Sequence, residues 1–196
     1  MEIDNNDYKQ LLVDALERIQ DLQIKLKNAE THNNEPIAIV GVGCRFPGQV
    51  VDLDSYWKML LSQQDNTKTV PDYLWPVYDF YEPEKGHPGK SYTDKGCFVE
   101  EVDQFDAEFF GISAPEAEAM DPQQRLLLET CWHALEDAGI AINSLSGSKT
   151  GVFVGLMNHD YAQRLEHLEQ INVYQGTGNA ASIASGRISH LLGLQG

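Results

Sequence analysis

The chain has 196 residues and a formal net charge of −16. With 42% hydrophobic and 22% charged residues it has a globular composition, too apolar for a disordered chain. A chain this acidic repels DNA, RNA and anionic membrane surfaces, so nucleic-acid and membrane partners are set aside.

The first predicted element is a helix over residues 8–29. Leu12, Ile19 and Leu26 fall at heptad position a, and Tyr8, Ala15, Leu22 and Ala29 at d. A 3.5-residue apolar repeat puts one seam on one side of a helix and calls for a partner helix. Lys25 and Glu30 stand at g and the following e, where a parallel two-stranded coil pairs them. Leu11 and Leu16 widen the stripe, which also suits a four-helix assembly. At 1.5 Å per residue the helix is roughly 33 Å long, and a helix that short is marginal alone in water. The stripe is therefore expected to be buried, by self-association or docking, or by folding back on its own domain. Thr31-His32-Asn33-Asn34-Glu35-Pro36 reads as a polar linker and favours the first two. This sets a boundary between a coiled-coil or docking segment, 1–34, and a body, 35–196.

The body opens with Ile37-Ala38-Ile39-Val40, a β-branched apolar run that predicts a buried strand. Residues 53–61 carry Tyr56, Trp57, Leu60 and Leu61 at helical spacing, with Asp54 as the expected N-cap. Residues 65–96 are rich in Pro, Gly, Asp and aromatics and predict a long surface excursion, pinned by Trp75, Tyr78, Phe80 and Tyr81. Residues 100–121 hold many acids and no base, yet Val102, Phe105, Phe109, Phe110 and Ile112 interrupt the charge. That pattern is a packed segment with a solvated face. The acidity serves solubility, or makes a docking surface for a basic partner patch.

The strongest helix follows. Asp121 caps it, Pro122 occupies the first helical position, and Gly139 ends it. Leu127, Leu128, Cys131, Trp132, Leu135 and Ala138 form its apolar stripe. Thr150 to Leu156 predicts a second buried strand. Residues 176–188 are rich in small side chains, and Ile183, Ile188, Leu191 and Leu192 lie at helical spacing. Strand, helix, helix and strand at crossover lengths argue for a layered α/β structure.

No chemistry stands out from the residues alone. Gly41-Val42-Gly43 follows a predicted strand, but the third glycine of a dinucleotide fingerprint is replaced by Phe46 and a Pro47-Gly48 turn follows. Cys131 and His133 are two apart on a helix and face different ways, and His159 and His167 lack ligands at metal spacing. Of the thiols, Cys131 lies on the apolar stripe, Cys97 at a strand start and Cys44 in a turn. None sits at a helix N-terminus beside a base, which is what activates a cysteine. Three scattered cysteines without a CxxC pair, no signal peptide and no apolar run long enough to span a bilayer point to the cytoplasm.

Taken together, several segments resemble the N-terminal half of a β-ketoacyl synthase domain from a type I modular polyketide synthase. They are Glu35–Gly41 with Cys44-Arg45-Phe46-Pro47-Gly48, then Phe105–Ser113, Glu116–Met120 running into Asp121–Leu128, Ala134–Gly139, and Gly176–Gly196. The heptad helix resembles the N-terminal docking helix of such modules. The resemblance implies a thiolase-like layered fold, here its N-terminal half, in a homodimer formed through the body and helix 8–29. It implies decarboxylative Claisen condensation between an acyl-cysteine thioester and a malonyl-type extender. An acyl carrier protein would present the extender on its phosphopantetheine arm, and the C-terminal docking helix of an upstream subunit would bind the N-terminal helix. It implies no directly bound cofactor and no metal. The family's cysteine and two histidines fall beyond Gly196, so no catalytic or cofactor-binding residue is assigned here. His190 is a surface or interface variation. The chain alone is expected to be inactive and to expose a large apolar face. The alternative is a non-catalytic docking or scaffold half-domain.

Overall fold

The computed structural model describes residues 5–33, 36–164 and 171–195. Two compact units emerge, Met1–Ile39 and Val40–Gly196. The first unit is built on one helix, α1 (Asn5–Asn33). It runs through Thr31, His32 and Asn33, which the sequence suggested were linker. Each of these costs only about 0.5–0.7 kcal/mol against Ala in a helix, too little to stop it before Pro36. Leu11, Leu12, Leu16, Ile19, Leu22 and Leu26 are all exposed on α1. Lys25 pairs with Asp21 one turn earlier, at 2.8 Å. The side chains of Tyr8, Ala29 and Glu30, and His167, lie outside the described residues.

In the second unit, Asp52 rather than Asp54 caps α2 (Leu53–Ser62). Its backbone is extended, and its carboxylate accepts the Ser55 N–H at 2.7 Å while Ser55 Oγ accepts the Asp52 N–H. This reciprocal box needs a three-residue offset, which Asp54 inside the first turn does not have. A left-handed Gln63 ends the helix. Next come β1 (Lys68–Thr69) and, beyond an irregular excursion, β2 (Lys95–Gly96), paired antiparallel with Lys68 opposite Gly96. The excursion contains α3 (Val77–Phe80). Its pin is Val77, which is fully buried. The aromatics expected to do this stay partly outside: Trp75 and Phe80 stack on each other at 5.3 Å, and Tyr78 is exposed.

The rest of the unit is helical. α4 (Ala114–Ala119) leads into α5 (Pro122–Asp137), and α6 (Tyr174–Asn179) turns into α7 (Ala181–Leu191). Asp121 caps α5 by accepting the Gln123 N–H at 2.8 Å, and Gly139 leaves it at φ +64°. The core gathers Phe110, Met120, Leu128, Ile188 and Leu192.

Two sequence expectations change. Ile37–Val40 and Thr150–Leu156 form no ladder among the described residues, and Ile37, Ile39 and Phe153 are exposed rather than buried. A strand exists only where a neighbour takes up its N–H and C=O groups. Neither apolar run has such a neighbour here.

Candidate functional site

The second unit is organised around α5. Gly41 and Gly43 lie against it so closely that a Cβ on either would come within 2.3 Å of a helix carbonyl, Ala134 O for Gly41 and Thr130 O for Gly43. The Val42 N–H between them donates to Asp137 Oδ2 at 2.9 Å. The glycine pair that superficially suggested a nucleotide loop is a helix-packing device.

Arg45 continues this contact. Its guanidinium donates to Glu129 Oε2 at 2.8 Å and to the carbonyls of Glu100 and Glu101 at 3.0 and 3.2 Å. Glu101 is held in the left-handed region at φ 56°. Burial keeps the Glu129 carboxyl above the usual carboxylate range, against the opposing fields of Arg45, His133 and Arg125. The ion pair does not fully replace the water that Glu129 gave up.

At the N-terminal end of α5 the Asp121–Arg125 signature is a clamp. Gln123 Nε2 donates to Asn158 O at 3.0 Å. Gln124, 2% exposed, donates to Ala180 O at 3.2 Å and Thr177 O at 3.4 Å and accepts Arg187 Nε at 3.2 Å. Arg187 also pairs with Glu116. The Asp121 N–H donates to Gly178 O at 2.9 Å. Arg125 lies 5.8 Å from the Tyr161 ring centre, and the Tyr161 hydroxyl donates to Glu118 O at 2.9 Å. Sequence reasoning missed Gln124 and Arg187. The available signal was a glutamine four residues before Leu128, on the buried face of an amphipathic helix.

The three thiols are separate, and neither Cys44 nor Cys131 is activated. Cys131 is half-buried on α5, and burial raises its pKa above the ordinary thiol value. Cys44 is raised first by burial and then by the charge of Asp52. It shares a small cleft with Arg45, Glu129, Thr130 and His133. That shared cleft brings a thiol and a histidine together, and sequence spacing gave no hint of it. Cys97 is exposed, with its sulfur 3.8 Å from Thr67 Oγ1. A raised pKa leaves less thiolate, the opposite of what a nucleophile needs. His190 is exposed on α7.

The family model for the β-ketoacyl synthase N-terminal domain matches residues 34–196. The chain belongs to the β-ketoacyl synthase family. Among relatives, polyketide synthase GfsB of Streptomyces halstedii is 46% identical over 191 residues, 94% of this chain and 3% of the relative. Pikromycin polyketide synthase component PikAII of Streptomyces venezuelae is 43% identical over 196 residues, 99% of this chain and 5% of the relative. The oxazolomycin ketosynthase domain OzmH KS7 of Streptomyces albus JA3453 superposes with a TM-score of 0.69 at 36% identity. That match covers 81% of this chain and 27% of the other. The body is thus the N-terminal portion of a polyketide synthase ketosynthase with a thiolase-like fold. The chain spans a small fraction of the length of the relatives it matches.

Proposed function

We propose that this chain is the N-terminal part of a ketosynthase subunit that extends polyketides by decarboxylative Claisen condensation. An acyl chain rests as a thioester on a cysteine. A malonyl-type extender, carried on the phosphopantetheine arm of an acyl carrier protein, loses CO₂. The resulting carbanion attacks the thioester carbonyl, the new carbon–carbon bond forms, and the cysteine leaves as thiolate. The nucleophile and the two assisting histidines lie in family segments beyond the match to residues 34–196. The observation carrying this reading is that one sequence match and one fold match converge on the same body. The unactivated states of Cys44 and Cys131 agree with a nucleophile elsewhere.

In this reading the synthase is a cytoplasmic homodimer, and α1 either pairs with its copy or receives the C-terminal docking helix of an upstream subunit. The exposed stripe on α1 supports this, as does the alignment with PikAII, which takes in the helix as well as the body. Among the described residues no helix is long and apolar enough to cross a membrane.

The test is acyl transfer. The 196-residue chain, given an acyl thioester, should form no acyl-enzyme at Cys44, Cys97 or Cys131 by intact-protein mass spectrometry. A chain extended through the full ketosynthase domain should load and condense. Turnover by the short chain, or an extended chain that loads none of several acyl thioesters, overturns the reading.

A further inference from the structure

On the side of α5 away from the Gln124 clamp lies an open cleft of about 350 Å³. Its floor is aromatic. Phe109 and Trp132 meet edge to face with centroids 4.5 Å apart, and Phe110 lies beneath at 5.0 Å from Phe109. Its rim is acidic, formed by Asp106, Glu129 and Glu136, with His133 beside them. Two of the acids are partly engaged: Asp106 Oδ1 accepts the Phe109 N–H at 3.0 Å, and Glu129 Oε2 holds Arg45. The Glu136 carboxylate is exposed and has no ion pair among the described residues.

We propose that this cleft receives an arginine side chain from a partner polypeptide, its guanidinium laid on the Phe109–Trp132 rings and paired with Glu136. Rings attract cations over their faces, and carboxylates at the rim supply the counter-charge. A guanidinium suits this better than an ammonium because it is planar, stacks on rings, presents a fork of N–H donors and is less strongly hydrated. Phe109 is 53% exposed, so the platform is open to a ligand. Glu129, incompletely compensated by Arg45, gains from a second positive charge nearby. This inference does not rest on the condensing reaction.

The test uses the isotope-labelled 196-residue chain and the peptide acetyl-Leu-Arg-Leu-amide, with citrulline and lysine versions, titrated to millimolar concentration. The Trp132 indole N–H resonance should shift with the arginine peptide, and citrulline or lysine should bind at least about fivefold more weakly, since charge and planarity both contribute. Glu136→Gln, at an exposed position, should keep the spectrum of the fold and weaken the arginine peptide by about threefold or more. Phe109→Leu should weaken it as well. An unmoved Trp132 resonance, equal binding of citrulline or lysine, or free arginine binding as tightly as the peptide overturns the proposal.

Discussion

Arg187 Nε donates to Gln124 Oε1 at 3.2 Å across 63 positions of chain. This bond makes α5 and α7 share one polar junction inside an otherwise apolar contact. The Gln124 amide nitrogen reaches the carbonyls of Thr177 and Ala180, so one buried side chain holds both α6 and the residue that caps α7. Gln124→Ala takes a partner from three part-buried hydrogen bonds at once, and a buried group left unsatisfied costs about 1–3 kcal/mol. We expect the variant to lose about 3 kcal/mol in urea unfolding, with Gln124→Glu also destabilised because a carboxylate faces two carbonyls. A midpoint for Gln124→Ala equal to that of the parent would mean the junction is not energetic.

Two glycines in adjacent helices should respond in opposite ways to the same substitution. A Cβ on Gly178 would stand 2.3 Å from Ala119 O, a backbone atom that cannot swing aside. A Cβ on Gly186, within α7, meets nothing within 4 Å. Gly178→Ala should therefore cost about 2 kcal/mol or more, as overpacking against backbone does. Gly186→Ala should raise stability by about 0.5–1 kcal/mol, the usual helix-interior difference. Differential scanning calorimetry of the pair decides it: shifts of the same sign would refute the packing argument.

Much of this fold was legible before the structure. The cap at Asp121, the proline at position 122 and the stop at Gly139 are local signals, and each survives because capping depends on neighbours a few residues away. The motif order from Glu35 to Gly196 led to the correct family for the same reason that short signatures persist. What failed was non-local. Ile37–Val40 has the composition of a strand, but composition does not provide a hydrogen-bonding neighbour. Thr31–Asn33 has the composition of a linker, but no residue there breaks a helix already propagating. Phe46 and the Pro47-Gly48 turn already argued against a nucleotide loop at Gly41-Val42-Gly43, but nothing in the spacing placed the carbonyls of Ala134 and Thr130 against it. The pairing of Gln124 with Arg187, and the cleft joining Phe109, Trp132 and Glu136, depend on contacts between segments that no spacing rule connects.

Glu129 should give the body a measurable pH signature. Burial, its largest influence, raises its folded pKa above the unfolded value near 4.5. A raised carboxyl pKa means that the folded state holds the proton more tightly than the unfolded state. The contribution is complete below the unfolded pKa and is lost as pH climbs through the folded pKa. Glu129→Gln removes this titration while keeping the shape, so the variant should gain stability relative to the parent between acid and neutral pH. Thermal unfolding of both proteins from pH 4 upward checks the sign. A difference that stays flat, or that moves in favour of the parent, would show that Arg45 outweighs the burial.

The proposed docking role of α1 makes the last prediction. Ile19 and Leu22 are 51% and 58% exposed, and Leu11, Leu12, Leu16 and Leu26 on the same helix are exposed with them. Fully burying an aliphatic side chain of this kind is worth about 1.5–3 kcal/mol, so several of them provide a strong drive to pair. An aspartate placed in the seam instead meets its copy across a low-dielectric interface, where like charges repel and neither is hydrated. Ile19→Asp with Leu22→Asp should therefore convert the associated species to monomer in light scattering, while the circular dichroism of the body is retained. The same pair, if the helix instead receives an upstream tail, should abolish binding of that tail without altering the parent's own mass. Unchanged mass together with unchanged tail binding would leave the stripe without a docking role.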